Sequence, residues 1–388
     1  MPSKVDPRGA PTGFPPGFGQ GPGEADALLL LRCLLGITPR SLHALAWQAG
    51  PASACLEAIR AGEAGSDGDR EYLAAADVRE VRRALEDAGA RFAPVGDREY
   101  WPAMLRLTDP PVGVFLRGRT LTLGQDRVAI VGTRRATALG REVAMDLARG
   151  LAARGVGVVS GGAIGIDAAA HRGALDAGGL TVAVLGSGID VDYPPSNSAL
   201  LQRVAAAGTL VSEYPPGVPA EPFRFPARNR LIAALSRGVV IVEGAHKSGT
   251  RITAEHAVEL GLDVFAVPGP VTSPLAETPL ELIRDRAIMI RGAADLLADL
   301  GLDAAPREAP TLDLPEEQQR VYDVLETSLL PEAVARLAGV RMSQAVATLI
   351  QLELRGLVRG VGGRFERTFA PGPAGGETSS GRSGLQAG

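Results

Sequence analysis

Short runs of uninterrupted apolar residues, each closed by glycine or a small polar residue, restrict this chain more than any other feature. They are Arg127-Val-Ala-Ile-Val-Gly132-Thr133-Arg134, Val156-Gly-Val-Val-Ser160-Gly161-Gly162, Thr181-Val-Ala-Val-Leu-Gly186-Ser187-Gly188 and Gly238-Val-Val-Ile-Val-Glu243. The last leads into Lys247-Ser248-Gly249-Thr250. Runs apolar throughout, rather than alternating, read as strands covered on both faces. Residues 140–154, 166–178 and 253–261 have helical patterning and lie between the strands. Alternation of this kind predicts right-handed crossovers and an α/β fold, an extended Rossmann-like, doubly wound, mostly parallel sheet. Val264-Phe-Ala-Val-Pro268 adds another buried strand, stopped by Pro-Gly. Open parallel sheets bind ligands at the carboxyl ends of their strands, so the four small polar loops outline one pocket.

Around this sheet the sequence divides further. Residues 1–23 are rich in Pro and Gly and lack the apolar segment of a signal peptide, so they read as a disordered leader of a cytoplasmic protein. Residues 24–96 read as a small helical domain of the SAM or helix-hairpin-helix kind. Residues 97–302 hold the Rossmann-like domain, whose proline-rich start (Tyr100-Trp-Pro, Asp109-Pro-Pro) suits an edge layer. A linker at 303–312 precedes a winged-helix domain at 313–370, three helices and a hairpin around Gly362-Gly363, and 371–388 reads as a disordered tail. The third helix carries only Arg341 before a neutral apolar run, which favours docking or dimer support over DNA reading. No apolar run reaches the ~18 residues of a membrane span. Cys33 and Cys55, the only cysteines, stand in no metal-binding spacing and read as reduced buried thiols.

The net charge of −4 gives no global sign of a polyanion partner. Between residues 224 and 251, however, Arg224, Arg228, Arg230, Arg237, Lys247 and Arg251 stand against Glu243 alone. Gly132-Thr133-Arg134 joins a close backbone approach, a hydroxyl and a planar cation that matches phosphate oxygens. Ser160-Gly161-Gly162 is able to turn successive N–H groups toward an anion, backed by the following helix. In Pro222-Phe-Arg-Phe225-Pro-Ala-Arg228-Asn229-Arg230 an aromatic ring beside spaced arginines suits a single-stranded nucleic acid, the ring stacking on a base. The alternative is that Phe225 closes the core and Arg230 caps a helix. His171 follows Asp167 by four positions, a spacing that also fits a structural pair. Neither a G-x-G-x-x-G fingerprint nor a phosphate-binding G-x-x-x-x-G-K-[ST] loop is present, and no His or acidic cluster has metal spacing. The expectation is no cofactor, no metal and no catalytic group.

The run Gly132-Thr-Arg through Ser160-Gly-Gly-Ala-Ile-Gly-Ile-Asp-Ala-Ala-Ala-His171 resembles the DNA-processing protein A family (DprA/Smf). So do Tyr193-Pro-Pro-Ser-Asn197, Ser212-Glu-Tyr-Pro-Pro-Gly217, Phe225-Pro-Ala-Arg-Asn-Arg230, Ser248-Gly-Thr and Val264-Phe-Ala-Val-Pro-Gly269. Ile164 and the stretch Leu275-Ala-Glu-Thr-Pro279 depart from the family pattern. The resemblance implies binding of single-stranded DNA without strong sequence preference, homodimers, and loading of a RecA-type recombinase in transformation or repair. By matching motifs it implies Gly132, Thr133, Arg134, Ser160, Gly161, Gly162, Phe225, Arg228, Asn229, Arg230, Lys247, Ser248, Gly249 and Thr250 as DNA-pocket residues. The second reading is a nucleotide-hydrolysing enzyme of the phosphoribohydrolase kind, with Glu255 past Thr250 as its catalytic acid; a third is a transcriptional regulator working through the winged helix.

Overall fold

A computed structural model of the chain describes residues 13–120, 125–246, 248–302, 314–325, 329–355, 357–361 and 363–367. Residues 303–313 and 368–388, with the expected linker and tail, lie outside the described residues, as does Lys247. The chain forms two compact units, Met1–Arg307 and Glu308–Gly388.

Helices α1 (Glu24–Cys33), α2 (Pro39–Ala49), α3 (Ala52–Arg60), α4 (Asp67–Ala75) and α5 (Val78–Asp87) open the first unit. Their starts are set by local chemistry: Thr38 caps α2 ahead of Pro39, and Ser66 with Asp69 forms a capping box on α4. Two sequence expectations are corrected here. Residues 13–23, read as part of a disordered leader, are packed: Phe14 and Phe18 stack at 4.6 Å, Phe14 meets His43 edge-on, and Trp47 donates to the Gly13 carbonyl. Burying two phenyl rings among leucines offsets the ordering cost of the Gly- and Pro-rich backbone. Nor is the helical segment a separate body, because Leu29, Cys33 and Leu85 share a core with sheet residues Phe115, Leu185 and Leu210.

The sheet comprises β1 (Ala90–Pro94), β2 (Gly113–Gly118), β3 (Arg127–Val131), β4 (Gly157–Ser160), β5 (Thr181–Gly188), β6 (Thr209–Tyr214), β7 (Gly238–Ile241), β8 (Asp263–Ala266) and β9 (Ile288–Met289). Its spatial order is β1-β2-β6-β5-β4-β3-β7-β8-β9. From β6 to β9 every pairing is parallel; β1 and β2 add an antiparallel flank. The intervening helices are α6 (Ala138–Ala153), α7 (Ile166–Asp176), α8 (Ser198–Ala207), α9 (Arg224–Ala234), α10 (Gly249–Glu259), α11 (Glu277–Arg284) and α12 (Ala293–Asp299). Alternate strand residues divide between two cores. Val128, Ile130 and Val158 pack on α6 and α7, whereas Ala129, Val131 and Val159 pack with Leu231, Ile232 and Ala254 of α9 and α10. Double burial is why the middle positions of these strands are apolar on both faces.

Two local readings differ from expectation. Thr209–Tyr214, passed over as a strand, is β6, and its polar side chains are used internally: the Ser212 hydroxyl donates to the Ser187 carbonyl at 2.5 Å. The stretch at 222–230, read as a loop, starts α9 instead; Pro226 falls in the first turn, where an amide hydrogen has no intrahelical partner to lose.

The second unit contains α13 (Glu316–Asp323), α14 (Pro331–Ala338), α15 (Met342–Leu354) and the antiparallel hairpin β10 (Val358–Val361) and β11 (Arg364–Arg367). Val321, Val334, Leu349 and Leu352 form its core. Three helices and a two-stranded ribbon make the expected winged helix.

Candidate nucleic-acid interface

The chain runs outward from β3 through β4 and β5 to β6, then returns to place β7 on the other side of β3. This reversal is the topological switch point, where the loops after the two adjacent strands diverge and leave a crevice. A cleft of about 510 Å³ opens there, between Gly132–Arg135 after β3 and Ser248–Thr250 at the start of α10. One face of α9 forms a wall: Phe225, Arg228, Asn229 and Ile232 all line the cleft at helical spacing.

Close approach decides several positions. A Cβ at Gly132 would lie 2.9 Å from the Glu243 carbonyl and 2.5 Å from Ile166, so only glycine lets the β3 loop fold over β7. Thr133 N donates to that same carbonyl at 2.8 Å. The Glu243 carboxylate accepts from Thr137 N and Oγ1 at 2.9 and 2.6 Å, and Thr137 in turn caps α6. Glu243 thus ties the two rims together.

Arg134 and Arg135 are exposed and, among the described residues, form no ion pair. The Arg134 guanidinium stands 4.8 Å over the Phe225 ring, and Tyr193 lies on the same ring at 5.3 Å, tilted by 31°. Opposite them is the N-terminus of α10. Ser248 holds the cap position without a side-chain cap, its buried hydroxyl finds no partner, and Asn229 Nδ2 donates to the Gly249 carbonyl at 3.3 Å. Uncapped N–H groups carry a partial positive charge, so an anion is favoured at this end of the cleft.

Arg228 lines the cleft yet is only 4% exposed. Its Nη1 donates to the Val184 carbonyl at 2.6 Å, and a Cβ at Gly161 would overlap that nitrogen. Burial lowers the Arg228 pKa to about 10, opposed by the neighbouring Asp167, so the side chain stays charged at neutral pH. Burial also raises Asp167 above the usual carboxylate range, opposed by Arg228 and by hydrogen bonds.

The structure brings together Gly132, Thr133, Arg134, Phe225, Arg228, Asn229, Ser248, Gly249 and Thr250. Ser160, Gly161, Gly162 and Arg230 are placed differently. The nest expected at 160–162 is filled from within: Asp167 accepts from Gly161 N at 3.2 Å and Ala163 N at 3.4 Å, and the Ser160 hydroxyl donates to the Ile130 carbonyl. Gly161 borders a recess of about 90 Å³ beside Phe225, and the Gly162 carbonyl accepts from Asn197. Arg230 turns inward to Glu213 at 2.8 Å and Asp109 at 3.3 Å. His171 does not pair with Asp167: Thr181 donates its hydroxyl to the Val158 carbonyl and accepts from His171 Nδ1 at 2.7 Å. The cleft also holds Arg135 and Thr253, absent from the sequence-derived site set, whose signals are adjacency to Arg134 and helical spacing from Thr250. Tyr193, also in the cleft, enters the sequence reading only within the motif Tyr193–Asn197.

A doubly wound α/β protein with a cationic, aromatic-lined cleft at its switch point and an appended winged helix defines a nucleic-acid-handling class. The family model described as DNA recombination-mediator protein A matches residues 91–301, and the DprA winged helix domain matches residues 303–364. The chain belongs to the DNA recombination-mediator protein A family, also called DprA/Smf. It is 42% identical over 290 residues to the putative DNA processing protein DprA of Mycobacterium tuberculosis, covering 73% of this chain and 72% of that one. Protein Smf of Escherichia coli is 36% identical over 298 residues, with 73% and 79% covered. Among solved structures, DprA from Streptococcus pneumoniae aligns with a TM-score of 0.62 at 31% identity, covering 72% of this chain and 98% of that one. DNA processing protein A from Helicobacter pylori, described with a single-stranded DNA binding mode, aligns at 0.50 and 31% identity, covering 56% and 99%.

Proposed function

We propose that this chain holds single-stranded DNA in the switch-point cleft, without strong sequence preference, and hands it to a RecA-type recombinase. The observation that carries the reading is the unpaired Arg134 guanidinium over the Phe225–Tyr193 platform, facing the uncapped end of α10. A flat aromatic surface takes a base, while the cation and the helix end take the flanking phosphates. Thr133, Asn229 and Ser248 position the backbone, and Arg228 sets the platform from beneath. The single-stranded DNA binding mode described for the H. pylori relative supports the same assignment. The protein acts as a cytoplasmic homodimer in transformation or recombinational repair and is not an enzyme. In support of the last point, Glu255, the acid a phosphoribohydrolase reading requires, is exposed, pairs with Arg251 at 3.4 Å and borders a different groove.

Fluorescence anisotropy of labelled single- and double-stranded oligonucleotides, at two salt concentrations, tests the assignment. Tight, salt-sensitive, single-strand-preferring binding that Arg134→Ala weakens for all sequences alike is the expected result. Equal affinity of the variant removes the cleft as the binding site. Stimulated recombinase nucleation on coated single strands, present with wild type and lost with that variant, tests delivery.

A further inference from the structure

Sequence spacing offers no set of metal ligands, but the fold gathers three ligand-type side chains beside the cleft. His246, in the loop from β7 to α10, meets Glu277 and Glu281, one turn apart on α11. Their ligand atoms lie within 4.8 Å of one another. His246 Nδ1 stands 3.6 Å from Glu277 Oε1 and 3.4 Å from Glu281 Oε1. Zinc–ligand bonds of about 2.1 Å in a tetrahedron put neighbouring donors about 3.4 Å apart, close to the two separations from His246 Nδ1 to the carboxylates.

The other oxygen of each carboxylate is already held. Arg251 Nη1 donates to Glu281 Oε2 at 3.0 Å, and His246 N donates to Glu277 Oε2 at 3.2 Å. Outer hydrogen bonds of this kind orient metal ligands and leave the inner oxygen free. The loop itself is laced to α11: Gly244 N donates to the Leu275 carbonyl, Thr278 N to the Gly244 carbonyl, and Thr278 Oγ1 to the Ala245 carbonyl. The ligands therefore come from two segments fixed to each other before any ion arrives.

We propose that His246, Glu277 and Glu281 form a site for one divalent transition ion of the zinc type, with open positions for water. One imidazole with two carboxylates suits Zn²⁺ or Mn²⁺ and disfavours Mg²⁺, which prefers oxygen and keeps its water. The ion clamps the loop that precedes Ser248 and the start of α10, which makes it a stabiliser of the cleft rim. That last consequence rests on the single-stranded DNA reading; the metal site does not.

Isothermal titration of metal-free full-length chain with ZnCl₂ alone tests the site. One ion per chain is expected, with binding weakened about tenfold or more in His246→Ala and in the isosteric Glu277→Gln, both retaining wild-type circular dichroism. A hundredfold excess of Mg²⁺ should leave the Zn²⁺ isotherm unchanged. No binding by wild type, or equal affinity in wild type and both variants (an adventitious ion only), overturns the proposal; displacement by Mg²⁺ overturns the part given to the imidazole. Zn²⁺ should also tighten oligonucleotide binding by wild type and not by His246→Ala. Unchanged DNA affinity beside an intact one-to-one Zn²⁺ isotherm would overturn only the link to the cleft.

Discussion

Arg134 and Arg230 look equivalent in sequence, each an arginine that ends a family-type motif, and the structure gives them opposite work. Arg134 is exposed with no carboxylate partner among the described residues, so its charge is available to a phosphate. Removing it should lower the salt slope of binding by about 0.7, one phosphate's share on a single strand, measured as log affinity against log salt. Phe225→Ala should cost about 1–3 kcal/mol of single-strand affinity in the same titration, by loss of the stacking surface. Arg230 is buried between Glu213 and Asp109, and those carboxylates sustain its charge against burial. Arg230→Met leaves Asp109 without its ion pair and Glu213 with only the Arg32 guanidinium at 3.8 Å, and should lower stability by about 3–5 kcal/mol in urea unfolding, with DNA affinity of the folded protein unchanged. No sequence pattern reveals this pair, because Asp109 and Glu213 come from distant segments that only the folded sheet brings together.

At the scale of elements, α9 explains which arginines belong to the cleft. Phe225, Arg228, Asn229 and Ile232 share one helical face, and Arg230 falls off it. Read as a loop, the segment has no phase, so all its cations count equally; Pro222 and Pro226 hide the helix start. The glycine-closed strands, by contrast, are legible in sequence because double burial leaves an unbroken apolar run in each, with polar residues such as Arg127, Ser160 and Thr181 at the strand ends. β6 escapes the same reading, since Thr209, Ser212 and Glu213 find their partners inside the fold. The loop after β4 shows how tightly these strand ends are packed. Gly161→Ala would push a methyl group into the Arg228 guanidinium, tilting the platform wall. The expected result is about 1–3 kcal/mol of destabilisation in urea unfolding, together with weaker oligonucleotide binding.

Across the whole molecule, two buried histidines set a pH dependence. Burial lowers His171 to about 3 and His43 to about 4, while an unfolded histidine titrates near 6.5. The folded state thus keeps both neutral where the unfolded chain takes up protons. Their contribution is full above pH ~6.5 and falls with acidification, by about 1.4 kcal/mol per histidine per pH unit, until pH approaches 4 and then 3. Asp167, raised by burial, lowers stability at neutral pH, and that penalty is relieved as acid protonates the folded carboxyl, so it opposes the histidines' loss in the acid part of this range. Urea midpoints from pH 7 to 4.5 should fall steadily, and less steeply in His43→Gln. In the winged-helix unit, α15 exposes Met342, Ile350 and Leu354, an apolar surface suited to protein docking. On the proposed reading that the chain delivers strands to a recombinase, Ile350→Asp with Leu354→Asp should leave single-strand affinity within about twofold while abolishing that delivery.

The placement of β7 beside β3 also governs the order in which the cleft comes into being. A chain leaving the ribosome N-terminus first completes β4, β5 and β6 while β3 still has one open edge. The aromatic wall on α9 emerges next, and the helix end that faces it comes last. Nascent chains therefore carry no finished cleft until residues 248–250 have emerged, and the bare edge of β3 is a stretch that a chaperone has reason to shield.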